Sequence, residues 1–131
     1  MIGKYIASKL ASCTALVAIV GTQIYPLKGD KDATLPAVTY RTSLDESNEP
    51  YGMAEQNDFQ IFVNAYSVNY GELNEMVKSV NDWFKAVDNE LFEATTLVEA
   101  IYYIDDEDGF DEDAKAFSKQ LEFKVLTSKN L

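Results

Sequence analysis

The residues of this chain that invite chemistry are its acids, and the densest group of them is Asp105-Asp106-Glu107-Asp108-Gly109-Phe110-Asp111-Glu112-Asp113. Clustered carboxylates hold calcium or magnesium when their oxygens converge on one ion. A calcium loop of the helix-loop-helix kind keeps a glycine at its sixth position and an oxygen ligand at its first. Setting Gly109 as that glycine puts Ile104 first, and Ile104 has no ligand to offer. The run therefore reads as a solvated acidic loop between two strands, with no metal assigned to it. The chain has 22 acids, enough for a glycosidase pair, yet nothing in the sequence sets one pair apart.

Other catalytic chemistry has little to work with. There is no histidine, which removes the commonest general base and the commonest zinc ligand. Cys13 is the only cysteine, so neither an internal disulfide nor a thiolate zinc cluster can form. No nucleophile elbow, phosphate loop or dinucleotide fingerprint occurs. The expectation is a non-enzymatic protein with no catalytic residue, no cofactor and no metal. The formal net charge of -11, from 11 basic and 22 acidic residues, repels polyanions, so sequence-specific nucleic-acid binding is not expected.

Leu10-Ala11-Ser12-Cys13 spells the box at which lipoprotein signal peptides are cut and the cysteine acylated. A signal peptide needs an apolar core of about 7 to 15 residues after its basic start. Here Lys9 interrupts a run that begins at Tyr5, and the apolar character continues through Leu16, Val17, Ile19 and Val20. The uncharged stretch from Leu10 to Ile24 also falls short of the roughly 20 residues that span a bilayer, so no membrane partner is expected. The helical spacing of Ile2, Ile6, Leu10, Cys13, Val17 and Val20 favours a single amphipathic helix with a buried thiol on its apolar face.

The elements that position these residues follow from periodicity. At 131 residues and 47% hydrophobic, the chain reads as one domain over 1–131 with a proper core. Gly21 suits the C-terminal cap of the first helix, and Gln23 to Pro26 reads as a short strand. Pro36 to Leu44 alternates as a strand, Asp45 to Gln56 is a polar connection, and Phe59 to Tyr66 is a strand with apolar groups on both faces. Leu73, Met76, Val77, Val80, Phe84 and Val87 mark a helix of about five turns starting near Asn69. Phe92 to Ile104 and Ala116 to Thr127 form the last two strands, on either side of the acidic loop. The order αβββαββ gives an α+β fold: a mostly antiparallel sheet of four to five strands with two helices packed on one face. Leu73, Val77, Val80 and Phe84 are expected to meet the face holding Phe117, Leu121, Phe123 and Val125, while Trp83 belongs at the edge of the core. Tyr51 and Met53 in the polar connection, and Phe110 in the acidic loop, lie where no core is expected and are candidates for a protein interface.

Three blocks carry a resemblance. Val20-Gly21-Thr22-Gln23-Ile24-Tyr25-Pro26, followed by Leu35-Pro36-Ala37-Val38-Thr39-Tyr40, resembles the opening signature of the tail completion, or tail-to-head joining, family of siphophages. Phe59-Gln60-Ile61-Phe62-Val63-Asn64-Ala65-Tyr66-Ser67 with Tyr70-Gly71-Glu72 resembles that family's central strand leading into its long helix. Lys119-Gln120-Leu121-Glu122-Phe123-Lys124-Val125 resembles its closing strand. The blocks fall in the family's order across nearly the whole chain, and the long acidic loop departs from its pattern.

The resemblance implies a bacteriophage structural protein of the virion, made in the host cytoplasm and placed at the head-tail junction. It would form a ring with copies of itself, a hexamer, on the last ring of the major tail-tube protein. It would end tail polymerisation there and present a surface to the head completion or stopper protein. DNA would pass through without specific binding, and the acids Asp105, Asp106, Glu107, Asp108, Asp111, Glu112 and Asp113 are candidates for the channel wall. Alternatives are another head-tail connector or minor tail protein, a small acidic adaptor or inhibitor, a lipoprotein acylated at Cys13, and a hydrolase with an unmarked carboxylate pair.

Overall fold

A computed structural model of the chain describes residues 2–26, 35–44, 56–92, 96–112 and 115–129. Three helices and six strands follow in the order α1 (Ile2–Ala11), α2 (Thr14–Val20), β1 (Ile24–Pro26), β2 (Ala37–Leu44), β3 (Gln56–Ser67), α3 (Tyr70–Lys85), β4 (Glu90–Phe92), β5 (Thr96–Asp111) and β6 (Ala116–Lys129). The strands make one sheet in the order β1-β2-β3-β6-β5-β4. β1 runs parallel to β2 and every other pair is antiparallel. The class is α+β, as expected, but the sheet is mixed and six-stranded instead of mostly antiparallel with four to five strands.

The expected first helix is two. Cys13 takes an extended backbone, φ -78 and ψ 99, and the Ser12 hydroxyl donates to the Lys9 carbonyl at 2.9 Å. Ser, Cys and Thr in succession are weak helix formers whose short polar groups compete for the backbone, and this breaks a periodicity that otherwise runs on. The apolar face survives the break, since Ile6, Leu10, Cys13, Leu16 and Val20 are all buried. Gly21 closes α2 with φ 61, the conformation its lack of a Cβ permits.

α3 begins where its sequence directs. Asn69 is the cap, its side chain accepting from the Glu72 amide at 2.9 Å, and Ser67 donates to the Glu72 carboxylate at 2.7 Å. Leu73, Met76, Val77, Val80 and Phe84 face the sheet and meet Ile61 and Val63 of β3 and Leu121, Phe123 and Val125 of β6. The Phe84 and Phe123 rings stand edge to face, 4.9 Å between centroids. The expected packing of helix on sheet is therefore present, with Phe117 only partly buried at its margin and Trp83 at the core's edge.

Two further boundaries differ. The strand expected from Phe92 is divided, with β4 at Glu90–Phe92 folding back antiparallel on Thr96–Val98. Gln56 belongs to β3 rather than to the polar connection. The largest difference is the acidic segment: β5 continues through it to Asp111, paired residue by residue with β6, from Asp105 opposite Glu122 to Asp111 opposite Ala116. Asp105 to Asp111 are strand, not loop.

Candidate functional site

Among the described residues, no group of three or more His, Cys, Asp or Glu side chains is gathered to hold a metal. No helix of the described residues is long and apolar enough to cross a membrane. Two shallow grooves open beside the helices. One, of about 400 Å³, is lined by Ala7, Ala11, Val17, Ile24 and Tyr40, and the other, of about 330 Å³, lies by Cys13, Lys78, Asp82 and Trp83. Cys13 is buried, its thiol 3.7 Å from the Ser79 carbonyl. Cleavage before Cys13 would strip Tyr5, Ile6 and Leu10 from the core.

The surface most set apart is the distal part of the β5–β6 hairpin. β5 alternates buried and half-buried residues as far as Ile101, and every residue from Tyr102 to Asp111 is exposed. The register explains the arrangement. Tyr103, Asp106, Asp108 and Phe110 stand on the same side as the core residues Phe123 and Leu121, but beyond the cover of the helices. Tyr102, Asp105 and Glu107 stand on the open side, in register with Lys124, Glu122 and Gln120. Register shifts between Val98 and Ala100 and between Tyr103 and Asp105 add local twist to β5.

Acids therefore project from both faces of one strand. Lys119 lies 3.5 Å from Asp108, and the Asp105 carboxylate accepts from the Asp106 amide at 2.8 Å. The Tyr103 hydroxyl donates to the Asp106 carboxylate; that hydrogen bond, with a small contribution from burial and the neighbouring negative charge, pushes the phenol up to about 12. The Tyr103 ring also meets Phe123 at 6.1 Å.

Of the residues singled out in the sequence, Tyr51, Met53 and Asp113 lie outside the described residues. Asp105, Asp106, Glu107, Asp108, Asp111 and Glu112 are exposed along the hairpin. Phe110 is exposed too, at 53%, and it is not alone. Its ring packs edge-on to Phe117 at 5.1 Å, and Phe117 in turn meets Tyr70 at 5.3 Å. With exposed Val68 before Tyr70, these side chains form an apolar patch where the start of α3 meets the end of the hairpin. Tyr70 and Phe117 were not marked as contact residues by sequence pattern, because strand pairing brings Phe117 to Phe110 and the placement of α3 brings Tyr70 to Phe117. A further exposed group, Tyr102, Tyr103 and Ile104, adjoins the acids. Three consecutive large apolar residues abutting a charge run was the available signal.

At the opposite end of β5 a polar cluster ties the first helix to the far sheet edge. Lys9 places its ammonium 2.8 Å from the Glu90 carboxylate and 4.6 Å above the Trp83 ring. Tyr5 donates to the same carboxylate at 2.8 Å, and the Trp83 indole N–H donates to the Lys9 carbonyl at 2.7 Å. Burial pushes the Glu90 carboxyl up, but the hydrogen bonds from Lys9 and Tyr5 and the Lys9 charge together outweigh it and hold the group below its usual range. Burial, followed by the bond to Glu90, raises the Tyr5 phenol far above its usual value.

No family model matches the sequence. No curated protein sequence matches it either. Among solved structures, the fold is similar to a chain in the virion of a native gene transfer agent particle, with a TM-score of 0.74 at 12% identity. That likeness covers 95% of this chain and 92% of the other, so it extends over the whole sheet and its helices.

Proposed function

We propose that this chain is a non-enzymatic structural component of a virion, and within it the terminator that closes a phage tail tube and joins it to the head. The observation that carries the reading is the near end-to-end likeness of fold to a chain of a virion particle. The sequence blocks that resemble the tail completion family support it from another direction. They fall on the end of α2 and β1, on β2, on β3 with the first turn of α3, and on β6. β1, β2, β3 and β6 are consecutive neighbours in the sheet, so blocks scattered in sequence form one continuous surface. The acidic arm, which departs from the family's pattern, lies outside that surface on β5.

In this reading the protein forms a closed ring, a hexamer, through head-to-tail contacts between copies. One face of the ring sits on the last ring of tail-tube protein and the other receives the head's completion or stopper protein. Tube subunits add because each ring exposes the surface that the next one binds, so growth ends when the terminal ring is covered by something that offers no copy of it. Acids of the arm turned toward the channel, with the net charge of -11, let DNA slide past without sticking.

Electron microscopy of lysates from a phage lacking this protein tests the role. DNA-filled heads without tails, beside tubes of uneven or excess length, are expected. Uniform tails attached to heads would exclude it. Heads that leak their DNA beside tails of normal length would indicate a head-completion protein instead. Purified protein is expected to be monomeric or weakly associated, with rings appearing on tube ends.

A further inference from the structure

We propose that the outer edge of β5 between Asp105 and Phe110 docks an extended, lysine- or arginine-bearing segment of a second protein, which joins the sheet as an added strand. The inference does not depend on the tail reading, and where it holds Asp105 to Asp108 are covered by the partner and do not line the channel. It starts from the sheet order: β4 covers only Thr96–Val98 of β5, supplemented by the Asn89 amide donating to the Glu99 carbonyl at 3.0 Å. Beyond that point no strand among the described residues pairs with the outer side of β5. An antiparallel strand uses alternate backbone groups toward each neighbour, so this side presents a row of donors and acceptors to solvent.

Proteins guard such an edge by shortening it, bulging it, covering it or placing charges on it, and charge is the device present here, on both faces of the strand. Here the last register shift lies between Tyr103 and Asp105, and the pairing from Asp105 to Phe110 is regular, from Glu122 to Phe117 on the partner strand. Exposed apolar side chains flank the segment, Ile104 at 49% and Phe110 at 53%. With the acids, they give this edge both charge and apolar surface.

Charge names the occupant. Asp105 and Glu107 project to one face, Asp106 and Asp108 to the other, so an added strand meets carboxylates whichever way its side chains point. A second copy paired antiparallel on the same edge would set these acids against one another, and like charges directly opposite across a ladder destabilise it. A segment alternating Lys or Arg with apolar or β-branched residues puts its cations on one face, against Asp105 and Glu107, and its apolar groups on the other, beside Phe110. Its backbone completes the ladder and its cations face acids.

The test uses the full chain and a short synthetic peptide alternating lysine with valine and threonine, read by backbone amide exchange. Two controls accompany it: the same peptide with glutamate for lysine, and the lysine peptide N-methylated at alternate backbone positions, which keeps its charge but cannot complete a ladder. With the lysine peptide at about ten times its Kd, exchange of the outward amides between Asp105 and Phe110 should slow about tenfold. The glutamate peptide should do nothing, and the N-methylated one should bind at least about tenfold more weakly, since its ladder bonds are lost. Changing Asp105→Asn, Asp106→Asn and Asp108→Asn together should leave the melting temperature in place and weaken the lysine peptide about tenfold. The proposal is overturned by an absence of protection, by equal binding of the N-methylated peptide, or by protection that appears without peptide as protein concentration rises. The first leaves a guarded edge, the second charge attraction alone, and the third a second copy as the occupant.

Discussion

β5 is two strands in one. Between Thr96 and Ile101 it lies under α3, with Val98 and Ile101 buried, β4 alongside at its start and Glu90 tied to Lys9 and Tyr5 nearby. From Tyr102 to Asp111 it holds the same hydrogen-bonded partner, β6, but among the described residues no second strand pairs with it, and all its side chains are exposed. The backbone is continuous and the environment is not. A ladder with one neighbour is therefore enough to keep an acidic, solvent-facing segment extended when that neighbour is itself fixed, and β6 is fixed by β3 on its other side. The covered half stabilises the fold; the uncovered half is available for partners.

The largest break in this contrast comes from the core. Phe84→Ala or Phe123→Ala should destabilise the domain by about 3 to 5 kcal/mol in denaturant unfolding, because each leaves a large cavity in a fully buried site. Phe110→Ala, of identical chemistry on the exposed half, should cost less than about 1 kcal/mol. Equal losses would mean that the hairpin end is packed as tightly as the centre. Next in size is the α3 cap: Asn69→Ala should cost about 1 kcal/mol by leaving the Glu72 amide without its acceptor.

Glu90 sharpens the contrast through pH. Its folded-state carboxyl titrates below the ordinary value of 4.5, so the ionised form adds stability above that pH. The contribution falls away as pH drops through the folded-state value. Glu90→Gln should be less stable than the parent near neutral pH, and the two stability curves should converge as the solution is acidified below 4.5. Curves that stay parallel would show that the Lys9 pairing contributes nothing. The smallest effect belongs to the arm: Asp105→Asn should change stability by no more than about 0.5 kcal/mol in thermal melts, in either direction.

Much of the covered half was legible in the sequence. The spacing of Leu73, Val77, Val80 and Phe84, with Asn69 ahead of them, located α3 and its buried face, and the alternation of Phe117, Leu121, Phe123 and Val125 located the face it meets. The acidic strand was not legible, since Asp and Glu have low strand propensity and show no apolar alternation. Its extension comes from backbone pairing with β6, a tertiary cause that no local window contains. The break at Ser12 and Cys13 was hidden by an apolar spacing that survives it, and β4 is too short to show a period. Of the interface candidates, Phe110 is an exposed aromatic, while Phe117 beside it required the strand register and Tyr70 the placement of α3.

The seam between β3 and β6 also sets the order of events in time. Ile61 pairs with Phe123, and α3, β4 and β5 all lie between them in the chain. Non-local pairing of this kind must close a long loop before it gains anything, which slows folding relative to a helical bundle of equal stability. During synthesis, β3 is complete once Ser67 has been made, but the strand that covers its inner edge begins only at Ala116. At roughly 5 to 20 residues per second the nascent chain spends about 3 to 10 seconds with β3 paired to β2 on one edge and open on the other. That interval, rather than any weakness of the finished fold, is when this protein is most exposed to aggregation.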